Sequence, residues 1–199
     1  MPQTMANFFY DTENGHRHYT SITDEHPSLS FLPFPIHDVI ISNCCSGLIL
    51  CWCFGCRYVV CNSATNKWLL LADNLCSCGE AHLGFDSTVS PHFHVFEYGK
   101  MREGESVGVS IYSSKSGAWI FKASEWGDGI IVSTYARSVF LNGFIHWLEF
   151  SHIIAVDMDG KTSTKIQKPR GDAISIHEAQ GQLCLCTADI YTMVVIDGH

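Results

Sequence analysis

The amino-acid sequence predicts an all-β fold: a partial β-propeller of about four blades, each an antiparallel four-stranded sheet. Three observations carry that expectation. Short apolar runs alternate with period two, turn-forming residues punctuate them, and sets of runs recur along the chain. No long segment keeps the period of an amphipathic helix.

Val107-Gly108-Val109-Ser110-Ile111 puts branched residues on one face and small ones on the other, as a half-buried strand requires. Further strands are expected at 48–50, 58–60, 68–71, 130–132, 153–156 and 193–196, with Gly, Asn, Asp and Ser between them. The strands come in sets. Ser46-Gly47-Leu48-Ile49-Leu50 reappears as Asn142-Gly143-Phe144-Ile145-His146-Trp147, and more weakly as Gln180-Gly181-Gln182-Leu183. A polar turn closed by tryptophan spans 61–68 and returns at 112–119, and a copy at 156–162 keeps the turn without the Trp. Trp68 and Trp119 lie 51 residues apart, and Gly47 and Gly143 lie 96 apart, close to twice that period. One small sheet cannot bury both faces alone, so such copies stack around an axis. A β-sandwich is the alternative that evenly spaced short strands also allow.

Composition narrows the function. Hydrophobic residues make up 46% and charged residues 16%, enough apolar surface for one packed domain over 1–199 and too much for a disordered tail. Twenty acidic against twelve basic side chains give a net charge of -8, which argues against nucleic acid and against an anionic membrane surface as partners. No apolar run is long enough to cross a bilayer, and 1–7 lacks the basic start and apolar stretch of a signal peptide. The expected location is therefore cytoplasmic or nuclear, and the ten cysteines are expected to be reduced, mostly small buried apolar residues.

The cysteines still pose the sharpest chemical question. Cys53-x2-Cys56 has the spacing of one zinc knuckle, with Cys44, Cys45, Cys51, Cys61, Cys76 and Cys78 nearby. Cys76-x-Cys78 is too tight for a usual second knuckle, and Cys51 and Cys53 share a strand face as core residues do. His92 and His94, two apart, read as half-buried or exposed strand residues rather than ligands. The chain has no G-x-S-x-G elbow and no phosphate-cradling G-x-x-x-x-G-K-[ST] loop, and Glu103 and Glu105 read as solvated loop residues. No catalytic residue, cofactor or metal is expected. Trp52, Trp68, Trp119 and Trp147 sit in the repeat and are expected in the blade core, whereas Trp126 sits outside it in a polar loop.

Antiparallel strands place alternate connections at opposite ends of a sheet. The turns at 62–67, 113–118 and 157–162 are copies and read as structural; the connections at 53–57, 99–106, 149–152 and 188–190 differ in length and chemistry. Variable loops on a common scaffold are where binding is expected. The candidate protein-binding residues are Phe54, Arg57, Lys100, Arg102, Glu103, Trp126, His152 and Asp189.

These motifs, in order, resemble the F-box-associated, kelch-type region of plant F-box proteins. The likeness is carried by 42–51, 58–68, Gly84-Phe85-Asp86, Ser90-Pro91-His92-Phe93-His94-Val95, 111–114, 141–147 and Ala179-Gln180-Gly181, and covers nearly the whole chain. Ser63 and Ser87 stand where the family usually carries proline. The resemblance implies a kelch-like propeller that binds a protein substrate for an SCF-type ubiquitin ligase. The helical F-box is absent from the sequence and the last strand set reads as about half a blade, so the domain looks cut at both ends and contact with the SCF core is not expected. The alternatives are a metal-stabilised or small-molecule-binding β protein, and a truncated product without independent activity.

Overall fold

The computed structural model describes residues 7–11, 17–21, 29–53, 57–74, 81–100, 107–123, 137–149, 152–160, 162–168, 173–187 and 193–196. Apart from one short 3-10 turn at Ile36–Asp38, their regular structure is all strand. Three four-stranded antiparallel sheets follow one another. Sheet I holds β3 (Val39–Cys45), β4 (Leu48–Cys53), β5 (Arg57–Asn62) and β6 (Lys67–Leu70). Sheet II holds β7 (Ala81–Gly84), β8 (His94–Lys100), β9 (Val107–Ser113) and β10 (Ala118–Ala123). Sheet III holds β11 (Ser138–Leu141), β12 (Phe144–Leu148), β13 (His152–Asp157) and β14 (Thr162–Gln167).

Two smaller sheets flank them. β1 (Asn7–Asp11) pairs with β2 (Arg17–Ser21), and sheet IV holds β15 (Ala173–Ala179), β16 (Gln182–Thr187) and β17 (Met193–Ile196). The last set thus has three strands, more than the half blade expected, because 173–179 forms a first strand that the residue pattern did not reveal. The run at 130–132 lies outside the described residues.

The repeated motifs have a backbone cause. In sheets I, III and IV the first two strands join through Ser46-Gly47, Asn142-Gly143 and Gln180-Gly181, all six residues at positive φ between 47° and 84°. Two left-handed residues make a type I′ turn, whose twist matches that of the flanking strands. Where third strand meets fourth, a short polar side chain caps the turn: Asn62 Oδ1 accepts the N–H of Ala64 at 3.0 Å and of Thr65 at 3.1 Å. Ser113 Oγ accepts from Lys115 N–H at 3.3 Å, and Asp157 Oδ1 from Asp159 N–H at 3.0 Å. Asn, Ser and Asp interchange here because each offers one acceptor within reach of the backbone two residues on. Asp11 pairs with Arg17 as Asn62 pairs with Lys67, which aligns β1 and β2 with the third and fourth strands of a blade.

First strands stand side by side and run the same way. Asn43 Oδ1 accepts Leu83 N–H at 3.1 Å, and the Cys45 thiol reaches the Phe85 oxygen at 3.2 Å, so β3 and β7 advance together. Ser138 Oγ lies 2.7 Å from His82 Nδ1, and Gly84 meets the Phe140 ring, so β7 and β11 do likewise. Inner strands in parallel around an axis, with sheets stacked face to face behind them, are the arrangement of propeller blades.

The core lies between the sheets. Leu50, Val60, Leu83, Val95 and Tyr112 fill the space between I and II; Phe96, Ile111, Ile145, Trp147 and Ile154 fill that between II and III. Ile153, Ile176, Leu183 and Leu185 join III to IV. The other face of sheet I is covered by the segment before it, through Leu29, Phe31, Leu32 and Phe34. Each such fully buried side chain contributes about 1.5–3 kcal/mol through removal of apolar surface from water.

The four repeat tryptophans do not share one environment. Trp147 is fully buried, but Trp52 and Trp119 are half-buried and Trp68 is 43% exposed. The core expectation thus fails for Trp68. It sits on a fourth strand, at the rim, where among the described residues only the Phe34 ring stacks on it, edge-on at 6.3 Å.

Candidate binding face

The alternation of strands sorts the connections of sheets I to III to two ends. One end carries the tight turns at 46–47 and 142–143, the capped turns after Asn62, Ser113 and Asp157, and the longer connection 85–93. At the opposite end the second strand of each sheet ends and the third begins. Arg57 opens β5, Lys100 closes β8 and His152 opens β13, so three candidate residues come to this one end in three successive sheets. Phe54, Arg102, Glu103, Trp126 and Asp189 lie outside the described residues.

Arg57 is exposed, with Nε 3.4 Å from Asp73 Oδ1. An ion pair this open to water contributes about 0–1 kcal/mol, so the guanidinium is exchangeable toward another carboxylate. His152 is half-buried and its main-chain oxygen accepts the Glu149 N–H at 2.8 Å, closing the connection in sheet III. Lys100 pairs with Val107 in the ladder of β8 and β9.

Residues not selected from sequence join this end. Ile40, near the start of the innermost strand of sheet I, is 56% exposed and lies opposite Trp52, which lies opposite Tyr58. An isoleucine in an apolar strand reads as core, so only the arrangement of neighbours reveals its exposure. Asp73 belongs to the segment leaving sheet I, whose Leu71 N–H donates to the Tyr58 oxygen at 2.9 Å.

Beneath the face lies a buried carboxylate. Glu97 is 3% exposed; the Tyr58 hydroxyl donates to its Oε1 at 3.3 Å and the Asn74 amide donates to its Oε2. Hydrogen bonds from two donors let a carboxylate tolerate burial. The contact pins the segment leaving sheet I against sheet II, a structural duty.

Among the described residues the remaining titratable groups give no chemical centre. Ser138 and His82 form a hydrogen-bonded pair, but both sit on inner strands with His82 buried edge-on against Trp147, 5.9 Å between ring centroids. Cys51, Cys53, Cys61 and Cys184 are buried, Cys45 and Cys186 half-buried and Cys44 exposed, all as free thiols. Cys51 is pushed up by its hydrogen bond with Cys61 and then by burial; burial also raises Cys53 and Cys45. Such thiols stay protonated and unreactive. Among the described residues no three His, Cys, Asp or Glu side chains group as a metal site. Cys56, Cys76 and Cys78 lie outside those residues. His92 and His94 are half-buried, His92 in the 85–93 connection and His94 at the start of β8; His94 is pushed down by burial and by His92, against the pull of Asp159. No helix among the described residues is long and apolar enough to cross a membrane.

The family model described as the F-box associated beta propeller domain matches residues 9–167, most of the chain. This chain belongs to that family. The match begins inside β1 and ends at the last residue of β14, so the F-box associated propeller unit spans the two-stranded sheet and sheets I to III. Sheet IV lies beyond it and packs against sheet III through Ile176, Leu183 and Leu185. No curated protein matches the chain.

Proposed function

We propose that this F-box associated propeller is the substrate-binding part of an SCF-type ubiquitin ligase receptor of the plant, kelch-like kind. It holds a protein substrate on the end that carries the second-to-third connections. It acts by binding rather than catalysis, without cofactor or metal, in the cytoplasm or nucleus.

Family membership is the observation that supports a protein-interaction role. The choice of end rests on chemistry. One end is dominated by tight, capped turns whose side chains serve their own backbone. The other presents an exposed isoleucine with half-buried Trp52 and Tyr58 on one face of sheet I, and an exchangeable arginine at the start of β5. Tryptophan, tyrosine and arginine around an apolar anchor are the residues that dominate interface energetics.

The test compares captured partners of the unmodified chain, an Ile40→Asp/Arg57→Glu variant, and a Lys115→Glu variant on the opposite end. The expected result is a protein retained by the first and third and lost by the second, whose cellular level rises when the proteasome is blocked. Loss with Lys115→Glu and retention with the double variant would place binding on the other end. A retained protein whose turnover ignores the proteasome would remove the ligase role.

A further inference from the structure

We propose that Ser90 is a phosphorylation site for a proline-directed protein kinase, displayed on the 85–93 connection of sheet II. The inference stands apart from the substrate-face reading, since this connection lies at the opposite end of the sheets.

Sheets I, III and IV join their first two strands with two residues, whereas sheet II uses nine, 85–93. A hairpin needs no such length, and surface loops are where a scaffold carries function. The segment reads Asp86-Ser87-Thr88-Val89-Ser90-Pro91-His92. Of the six prolines in the chain, only Pro91 follows a hydroxyl residue.

Its ends are held and its middle is open. Phe85 is tied by the Cys45 thiol at 3.2 Å; Phe93 is tied by Ser114, which accepts its N–H at 2.9 Å and donates to its oxygen at 3.0 Å, while its ring stacks on Tyr112. Between these anchors Ser87, Thr88, Val89 and Pro91 are exposed, Val89 by 76%, and Ser90 is half-buried. A kinase can therefore engage the loop while the sheet stays folded.

Only local bonds resist engagement. The Asp86 oxygen accepts the N–H groups of Val89 at 3.2 Å and Ser90 at 3.0 Å, and the Ser90 hydroxyl accepts His92 N–H at 3.1 Å. Solvent-facing bonds of one turn belong to the least stable part of a fold. Pro91 biases Ser90 toward the extended backbone in which an acceptor is presented, and it lacks the N–H that an apolar kinase subsite would leave unpaired.

In the transfer, Ser90 Oγ attacks the γ-phosphorus of Mg-ATP, the bond to the β,γ-bridging oxygen breaks and ADP leaves. The hydroxyl proton passes to the kinase's catalytic aspartate. The product dianion lies beside Asp86, whose carboxylate the Thr88 hydroxyl and N–H hold in its charged form, and beside the main-chain N–H of His92. Like charge opposes the Asp86 turn. The mark thus rearranges the loop and makes it more negative.

The folded chain is incubated with a proline-directed kinase and Mg-ATP, alongside Ser90→Ala, Pro91→Ala and a synthetic 85–93 peptide. The expected result is one phosphate on Ser90, none in Ser90→Ala, and strongly slowed transfer in Pro91→Ala. Transfer to the peptide but not to the folded chain overturns the proposal, as does equal incorporation into Ser90→Ala. Circular dichroism of each variant separates loss of the acceptor from loss of the fold.

Discussion

Trp119 donates its indole N–H to the main-chain oxygen of Ala72 at 2.7 Å, fastening the outermost strand of sheet II to the segment that leaves sheet I. The ring also packs on Tyr58 and Tyr112, with centroids 6.3 and 5.5 Å away. Trp68 occupies the same place in the repeat, yet it has only the Phe34 ring among described aromatic contacts and is 43% exposed.

The two tryptophans should therefore differ in cost. Trp119→Ala is expected to destabilise by about 3 kcal/mol, through lost burial and a freed carbonyl, and Trp119→Phe by about 1 kcal/mol. Trp68→Ala should cost less than half as much as Trp119→Ala. Urea unfolding midpoints compare them, and equal losses at the two positions would remove the clamp.

Glu97 joins Tyr58 on sheet I to Asn74 in the following segment. Glu97→Ala should cost about 3 kcal/mol, since it removes two hydrogen bonds and leaves a gap, whereas Tyr58→Phe should cost about 1 kcal/mol. In a double-mutant cycle the two should be less than additive, because each removes the same bond. Strict additivity would show that they act separately.

Gly84 and Gly47 test two different reasons for glycine. A Cβ on Gly84 would lie 2.6 Å from a Phe140 ring carbon and 2.8 Å from Phe96, so the obstacle is space between sheets II and III. Gly47 has nothing within 4 Å, but its φ is 81°. Gly84→Ala should cost about 2–3 kcal/mol by overpacking, and Gly47→Ala about 1 kcal/mol by backbone strain. Enlarging space with Phe140→Leu should rescue the first variant and leave the second unchanged.

Acidification should weaken the fold in a defined window. Burial holds His146 below the usual histidine range, and burial with His92 does the same for His94. A depressed folded value means the unfolded chain binds more protons, so stability is whole above about pH 6.5 and falls as pH drops below it. His146→Leu should flatten the slope between pH 7 and 5. Unfolding in urea at both pH values measures this; an unchanged slope would exclude His146 as a contributor.

Local rules that act within one hairpin were legible in the residues. Ser46-Gly47 and Asn142-Gly143 announce two-residue turns, and Asn62, Ser113 and Asp157 announce capped ones, because both devices depend on neighbours two or three positions away. The period-two runs therefore predicted strands, and their recurrence predicted four-stranded sets, which sheets I to III realise. Arg57, Lys100 and His152 likewise fell at one end by strand alternation alone.

What one sheet presents to the next was decided only by the tertiary structure. Trp68 and Trp119 carry the same local signature, but one meets a single phenylalanine while the other meets two tyrosines and a carbonyl. Ile40 belongs to an apolar strand and is exposed; Glu97 is charged and is buried. Strand periodicity assigns a side chain to one of two faces, and nothing in it says whether another sheet covers that face at that height. Burial is a sum over groups far apart in the chain, here 39 residues for Tyr58 and Glu97 and 47 for Trp119 and Ala72.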